Sequence, residues 1–314
     1  ALFAAAWAVA SPAQAAFPEK PVTLVVAFPP GGGADVVARL VGTKLAVALQ
    51  QPVVVDNRAG ASGNIASEAV ARAPADGHTL LMHNNTLTLN ASIGMRQSFN
   101  LRKDLVPLAA VASTPIVVAV HPSVPARTID ELIAYARANP DKLSYSSCGN
   151  GTAQHFAGVQ FSKMAAVKMV HIPFKGCAPP VIDGLSGTVP VLFNTVPNLD
   201  AHVKAGRLRF LGVASAKRLP FLPDLPTVGE TPALRGFVAE VWFGFFAPSG
   251  TPKPVLARLE RELIKVMDGK EIQDAFVARR MSRTVLDAQQ LGKQVEADLV
   301  NWKRLADEFK VVPE

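Results

Sequence analysis

Two glycine-rich segments have the composition of an anion site built from backbone. They are Phe28-Pro29-Pro30-Gly31-Gly32-Gly33-Ala34-Asp35 and Ser146-Ser147-Cys148-Gly149-Asn150-Gly151-Thr152. Each lies between an apolar, β-rich run and a helical pattern. At the carboxyl end of a parallel strand such a loop faces the open crevice. Its N–H groups, with the start of the following helix, attract an anion without Lys or Arg. Glycine lets the backbone approach a ligand closely. The same wording also fits ordinary βα turns. Nucleotide chemistry fits badly: Val36 and Gln154 stand where the two loops would need a third Gly or Ala. There is no G-x-x-x-x-G-K-[ST], no G-x-S-x-G and no H-E-x-x-H, and no cofactor is expected. Cys148 with His155 or His171 raises a thiol nucleophile, so a secreted Cys/His hydrolase is the alternative to a binding protein. His155, one turn into its helix, either meets a ligand or caps a neighbour. His78, His83, His121 and His202 are isolated and read as surface or satisfied residues. Lys175 and Asn194 follow strands and are placed to face a cleft. Trp242 reads as core.

The elements that must hold these loops alternate. Residues 21–28, 52–55 and 79–82 are short apolar strands, with helices between them carrying Val36, Val37, Leu40, Val41, Leu45 and Leu49, then Gly63 to Arg72. His83-Asn84-Asn85-Thr86 reads as a polar turn. The theme restarts with strands at 116–120, 143–146, 170–174, 189–193 and 210–214. Thr128-Ile129-Asp130-Glu131 is a capping box, and helices pass through Phe156 and Val181. A Pro-rich crossing at 220–232 leads to Trp242–Pro248, and two helices, from about Thr251 and Asp287, close the chain. The pattern predicts an α/β protein of two Rossmann-like lobes with a central cleft, the second lobe inserted into the first. The expected boundaries are 16–117 plus 231–314 for lobe 1 and 118–230 for lobe 2.

Composition agrees with two cored domains: 314 residues, 49% hydrophobic and 18% charged. The formal charge of +7 is scattered, with no block of like charge and no basic-aromatic interleaving, which argues against nucleic acid. A diffuse positive field suits capture of small anions. Residues 1–15 read as part of a leader. An apolar run of ten is followed by Ser11-Pro12 and a small-x-small pattern at Ala13-Gln14-Ala15, so export and cleavage after Ala15 are expected. The two cysteines, Cys148 and Cys177, lack metal-site spacing, and in an exported chain they suggest one disulfide.

Over nearly the whole mature chain the wording resembles the Bug family, the periplasmic receptors of tripartite tricarboxylate transporters. The resemblance rests on Phe28 to Asp35, on Val54-Val55-Asp56-Asn57-Arg58-x-Gly60-Ala61-x-Gly63-Asn64, and on Ala73-x-x-Asp76-Gly77-x-Thr79-Leu80-Leu81. It continues through Cys148 to Gly158, His171 to Pro179 and Gly244 to Pro252. It implies a Venus-flytrap fold, of the type II periplasmic binding protein kind, closing on a small carboxylate such as an amino acid, a di- or tricarboxylate or an aromatic carboxylate. It implies ligand contacts from Phe28, Gly31, Gly32, Gly33 and Asp35, and from Ser146, Ser147, Gly149, Asn150, Gly151, Thr152 and His155. Asn84, Asn85 and Asn194 are added as secondary contacts. Some members carry Cys in both second-lobe motifs, which fits a Cys148–Cys177 bridge. The implied partner is a membrane transporter, or a sensor in a signalling variant. The expected state is a periplasmic monomer without enzymatic activity.

Overall fold

The computed structural model describes residues 17–309 and Val311. The expected leader and its cleavage point lie outside the described residues. The first lobe opens with β1 (Val22–Val26), α1 (Gly33–Leu49), β2 (Val53–Asn57), α2 (Asn64–Ala71), β3 (Thr79–Asn84), α3 (Thr86–Ser92) and α4 (Leu101–Asp104). Strand β4 (Leu105–Val120) leads into the second lobe. There follow α5 (Ile129–Ala138), β5 (Ser144–Ser147), α6 (Ala153–Met164), β6 (Val170–Pro173), α7 (Pro179–Ser186), β7 (Val191–Thr195), α8 (Val196–Lys204) and β8 (Arg209–Val213). The chain returns through β9 (Glu240–Pro248), α9 (Lys253–Met267), α10 (Lys270–Ala278), β10 (Ser282–Leu286) and α11 (Ala288–Phe309).

Buried on both faces, β1 can be apolar at successive positions: Val22, Leu24, Val25 and Val26 are all inaccessible to solvent. The 3–4 spacing on α1 puts Val37, Val41, Leu45 and Leu49 in the same core. The strands run in the order β2-β1-β3-β9-β4-β7-β5-β6, with β8 and β10 also pairing to β4. Parallel pairing joins β2, β1 and β3 in one lobe, and β6, β5 and β7 in the other. The centre is antiparallel, because β9 and β4 run between the two parallel sets.

Strand β4 belongs to both lobes. Leu105 to Pro115 pairs with β9, and Ile116 to Val120 pairs with β7 and β8. The return crossing is stitched to the same point. Ala214 N–H donates to the Ile116 carbonyl (2.7 Å), Ala239 N–H to that of Ala214 (2.7 Å), and Ile116 N–H to that of Ala239 (2.9 Å). One place in the sheet therefore carries both connections. A second bridge is apolar: α11 reaches across so that Trp302 meets Phe156 of α6 edge-on, with ring centroids 5.6 Å apart.

Three expectations are corrected. Strand β4 begins at Leu105, eleven residues before the apolar run at Ile116, because Pro107 and Pro115 mask a strand whose register shifts absorb Pro107. His83 and Asn84 belong to β3 and Thr86 begins α3, so the polar tetrad is not a turn. Its polar groups bond locally, Thr86 N–H to Asn84 Oδ1 (2.9 Å) and Asn84 N–H to His83 Nδ1 (2.8 Å). The chain ends in three helices with a strand among them, because Arg280, at φ +57°, turns the backbone after α10 into β10.

Candidate functional site

Between the lobes the starts of four helices converge on one cavity. Gly32, Gly33 and Ala34 come from α1, Thr152 and Gln154 from α6, Ala178 and Pro179 from α7, and Thr195 and Asn198 from α8. Asn84, at the end of β3, joins them, and Val241 and Phe243 of β9 form an apolar floor. Among the described residues no Lys, Arg, Asp or Glu lines this space. The starts of α1, α6 and α8 turn N–H groups toward the cavity, and all four helices turn the positive ends of their dipoles to it, whereas Pro179 and Pro180 leave the first two positions of α7 without an N–H. The lobes are closed on it, leaving a volume of about 40 Å³. They touch where the Pro29 ring rests on Gly176, and where the Ser62 hydroxyl donates to the Asn150 carbonyl. A wider crevice of about 610 Å³ adjoins it, sharing Phe28, Pro29, Cys148 and Gly176.

The first loop is held in shape by a carboxylate. Asp35 is only 4% exposed. It accepts from Gly31 N–H (3.0 Å), from Arg39 Nε (3.0 Å) and from Asn57 Nδ2 (3.0 Å). Burial pushes its carboxyl up, but the bonds from Arg39, Gly31 and Asn57 outweigh burial and hold it below its usual value. Asn57 also donates to the Phe28 carbonyl (3.0 Å), fixing the strand end. Gly32 then sits at the N-cap of α1 without a side-chain cap.

The second loop is tied from several sides. The Thr152 hydroxyl donates to the Gly149 carbonyl (2.7 Å) and accepts from His155 N–H (3.4 Å), capping α6. Gly151 N–H donates to His155 Nδ1 (3.3 Å). The Ser147 hydroxyl lies 2.7 Å from His171 Nε2 and accepts from Gly149 N–H (3.2 Å). Beneath the loop the imidazoles of His155 and His171 stack, centroids 4.0 Å apart and 8° from parallel, with Tyr145 against the outer face of His171. Burial lowers the His155 imidazole to about 4. Burial, with the neighbouring His155, lowers His171 to about 3. Cys148 is joined to Cys177, which ties this loop to the start of α7. A thiolate nucleophile at Cys148 is incompatible with that bond.

Of the residues singled out in the sequence, Phe28, Gly32, Gly33, Asn84, Cys148, Thr152 and Cys177 line the cavity. Gly149 and Asn150 line the adjoining crevice, as does Lys175. Gly31 faces a groove beside α8. Asp35, Ser147 and His155 lie behind the loops and hold them. Ser146 is buried, its hydroxyl 3.5 Å from the Val191 carbonyl. Gly151 packs against Asn90 and Met95. Asn85 Nδ2 donates to the Glu240 carbonyl (2.7 Å). Asn194 donates to the Cys177 carbonyl (3.1 Å), one step behind the wall. Trp242 is core, with Nε1 bonded to Asp298 (2.8 Å). Thr195, which with Asn194 departs from the commoner family wording, lines the cavity, while sequence reasoning missed Asn198, Gln154 and the α7 start. Two Pro residues after Ala178, and Pro197 after Thr195, signal helix first turns and mark these starts.

The tripartite tricarboxylate transporter family receptor profile matches residues 37–311. A UPF0065 protein from the tcbD-tcbE intergenic region of Pseudomonas sp. (strain P51) is 36% identical over 296 residues, 94% of this chain and 88% of the relative. The structure of Rpa4515 from R. palustris with adipate superposes with a TM-score of 0.91 at 31% identity, covering 95% of this chain and all of that one. The periplasmic binding protein BugD superposes with a TM-score of 0.89 at 31% identity, with the same coverage. The chain belongs to the Bug family of periplasmic receptors for tripartite tricarboxylate transporters.

Proposed function

We propose that this protein captures a small carboxylate in the periplasm and presents it to the membrane components of a tripartite tricarboxylate-type transporter. In this reading it is exported with cleavage after Ala15, acts as a monomer and turns nothing over. Lobe 2, residues 118–230, closes on lobe 1, residues 16–117 plus 231–314. The observation that carries the reading is the convergence of four helix starts on one cavity that, among the described residues, no charged side chain lines. Such a site stabilises negative charge through fixed dipoles and charge-assisted N–H bonds. Phe28, Gly32, Gly33, Asn84 and Thr152 bound the anion. Gly149 and Asn150 serve the part of the ligand that reaches the adjoining crevice. Asp35, Ser147 and His155 act through the loops that they hold. The adipate-bound relative supports a carboxylate as the ligand class.

A panel of mono-, di- and tricarboxylates, amino acids and aromatic acids, scored by thermal shift and then by calorimetry, tests this. At a hundred times Kd a true ligand stabilises by about 2.7 kcal/mol, a visible shift. Gly32→Val is the matched control. Gly32 has an ordinary φ of −80°, and nothing but the Pro29 carbonyl, at 3.6 Å, lies near its missing Cβ. The variant therefore folds while its side chain fills the cavity. Loss of binding with an unchanged melting curve is expected, and unchanged affinity would move the site elsewhere.

A further inference from the structure

A chain of side-chain amides sets the polarity of the α8 wall. The Cys177 carbonyl can only accept, so Asn194 must turn its Nδ2 toward it (3.1 Å). That leaves Asn194 Oδ1 to accept, which it does from Thr195 N–H (2.8 Å) and from Asn198 Nδ2 (2.8 Å). Asn198 Nδ2 also reaches Thr195 Oγ1 (3.3 Å). The orientation of Asn198 is thereby fixed from the backbone outward, and both Asn198 and Thr195 line the cavity. Among the described residues no donor meets Asn198 Oδ1. Thr195 accepts from Asn198, so its hydroxyl hydrogen is free to donate. Across the cavity Asn84 has the opposite polarity: its Oδ1 accepts from Thr86 N–H (2.9 Å), and its Nδ2 remains as a donor. Thus the starts of α1, α6 and α8, with Thr195 and Asn84, offer donors, while Asn198 offers an acceptor oriented by the protein.

We infer that Asn198 determines specificity: the ligand is a carboxylate that also carries a hydrogen-bond donor, a hydroxyl or an ammonium, directed at Asn198 Oδ1. This rests on the carboxylate reading above. A ligand without a donor would strip water from Asn198 Oδ1 on closure and return nothing, which disfavours it.

The test is calorimetry on the mature protein with matched probes: propanoate, 2-hydroxypropanoate and 2-aminopropanoate, then butanedioate, 2-hydroxybutanedioate and 2-aminobutanedioate. In at least one series a donor-bearing member should bind at least about tenfold more tightly than its parent. Asn198→Ala should erase that preference by weakening the donor-bearing ligand alone. Asn198→Asp, which keeps an acceptor, should retain a preference for the ammonium. Equal affinity across both series, or a preference that survives Asn198→Ala, would overturn the inference and leave the carboxylate site standing. The wild-type comparison reads this without any variant. Binding by none of the six would count against the carboxylate reading itself, and the inference would fall with it.

Discussion

Asp35 shapes the first glycine-rich loop without lining the cavity. Its carboxylate gathers Gly31 N–H, Arg39 and Asn57, and so presents the other glycines of its loop. Asp35→Asn should cost about 1–3 kcal/mol in chemical denaturation and weaken ligand binding, because a buried acceptor network loses its charge. Its depressed carboxyl also fixes a pH window. The stabilisation is complete above the unfolded value of 3.8 and is lost as pH falls from there through the lower folded value. The stacked imidazoles act over a higher range. Both are neutral in the fold, and above 6.5 the unfolded rings are neutral as well. Below 6.5 the unfolded chain takes up protons that the fold refuses, so stability falls toward pH 4. For the more buried His155 the limiting slope is about 1.4 kcal/mol per pH unit. His171→Phe keeps a ring in the stack and should flatten the melting temperature profile between pH 6.5 and 4.5. A profile as steep as the wild type would exclude the stack as the source. The glycines of the two loops and Thr152 are legible as words in the sequence. Asn198 is not, because an asparagine inside a helix has no signature until the residue it faces is known.

At the scale of elements, the cavity is made by helix starts, and each start has its own restraint. On α6 it is the Thr152 cap, and Thr152→Val should cost about 1 kcal/mol in thermal or denaturant unfolding. On α7 it is the disulfide, which closes 29 residues of chain. In the chain-entropy account that closure contributes roughly 3.5 kcal/mol, so the Cys148→Ser, Cys177→Ser double variant should unfold at markedly lower denaturant. Labelling of the unfolded, unreduced protein should find no free thiol, and a labelled Cys148 would contradict the bridge. The short strands and the helices that follow them could be read from their periodicity. The front half of β4 could not, since proline within a run argues against a strand unless a register shift accommodates it. Nor could β10, in which Arg283 is exposed, Ser282 and Thr284 are half-buried, and the pairing comes from β4.

For the whole molecule, function in this reading depends on two lobes that meet over the ligand while sharing β4 and one cluster of crossings. The meeting surface is narrow at Pro29 and Gly176. Gly176 has φ +103°, and a Cβ there would come within 2.9 Å of the Pro29 Cγ. Gly176→Val should prop the lobes apart and weaken binding by at least about tenfold, with small-angle scattering showing a larger radius in excess ligand than for the wild type. Affinity equal to the wild type would show that closure at this point is dispensable.

From the sequence alone came the α/β alternation, the two glycine-rich loops, the cysteine pair and the family wording. These depend on residue type at short range, where periodicity, turn chemistry and loop composition are decided locally. The tertiary structure decided which residues face one another. The α7 and α8 starts are remote in sequence from Gly32, yet they meet it because β7 and β5 lie across the cleft from β1 and β3. It also decided that Asp35, His155 and Ser147 brace the loops, since the direction of a side chain is set by its partners. The polarity of Asn198 comes from the same source, fixed by a carbonyl 21 residues away through an intervening amide.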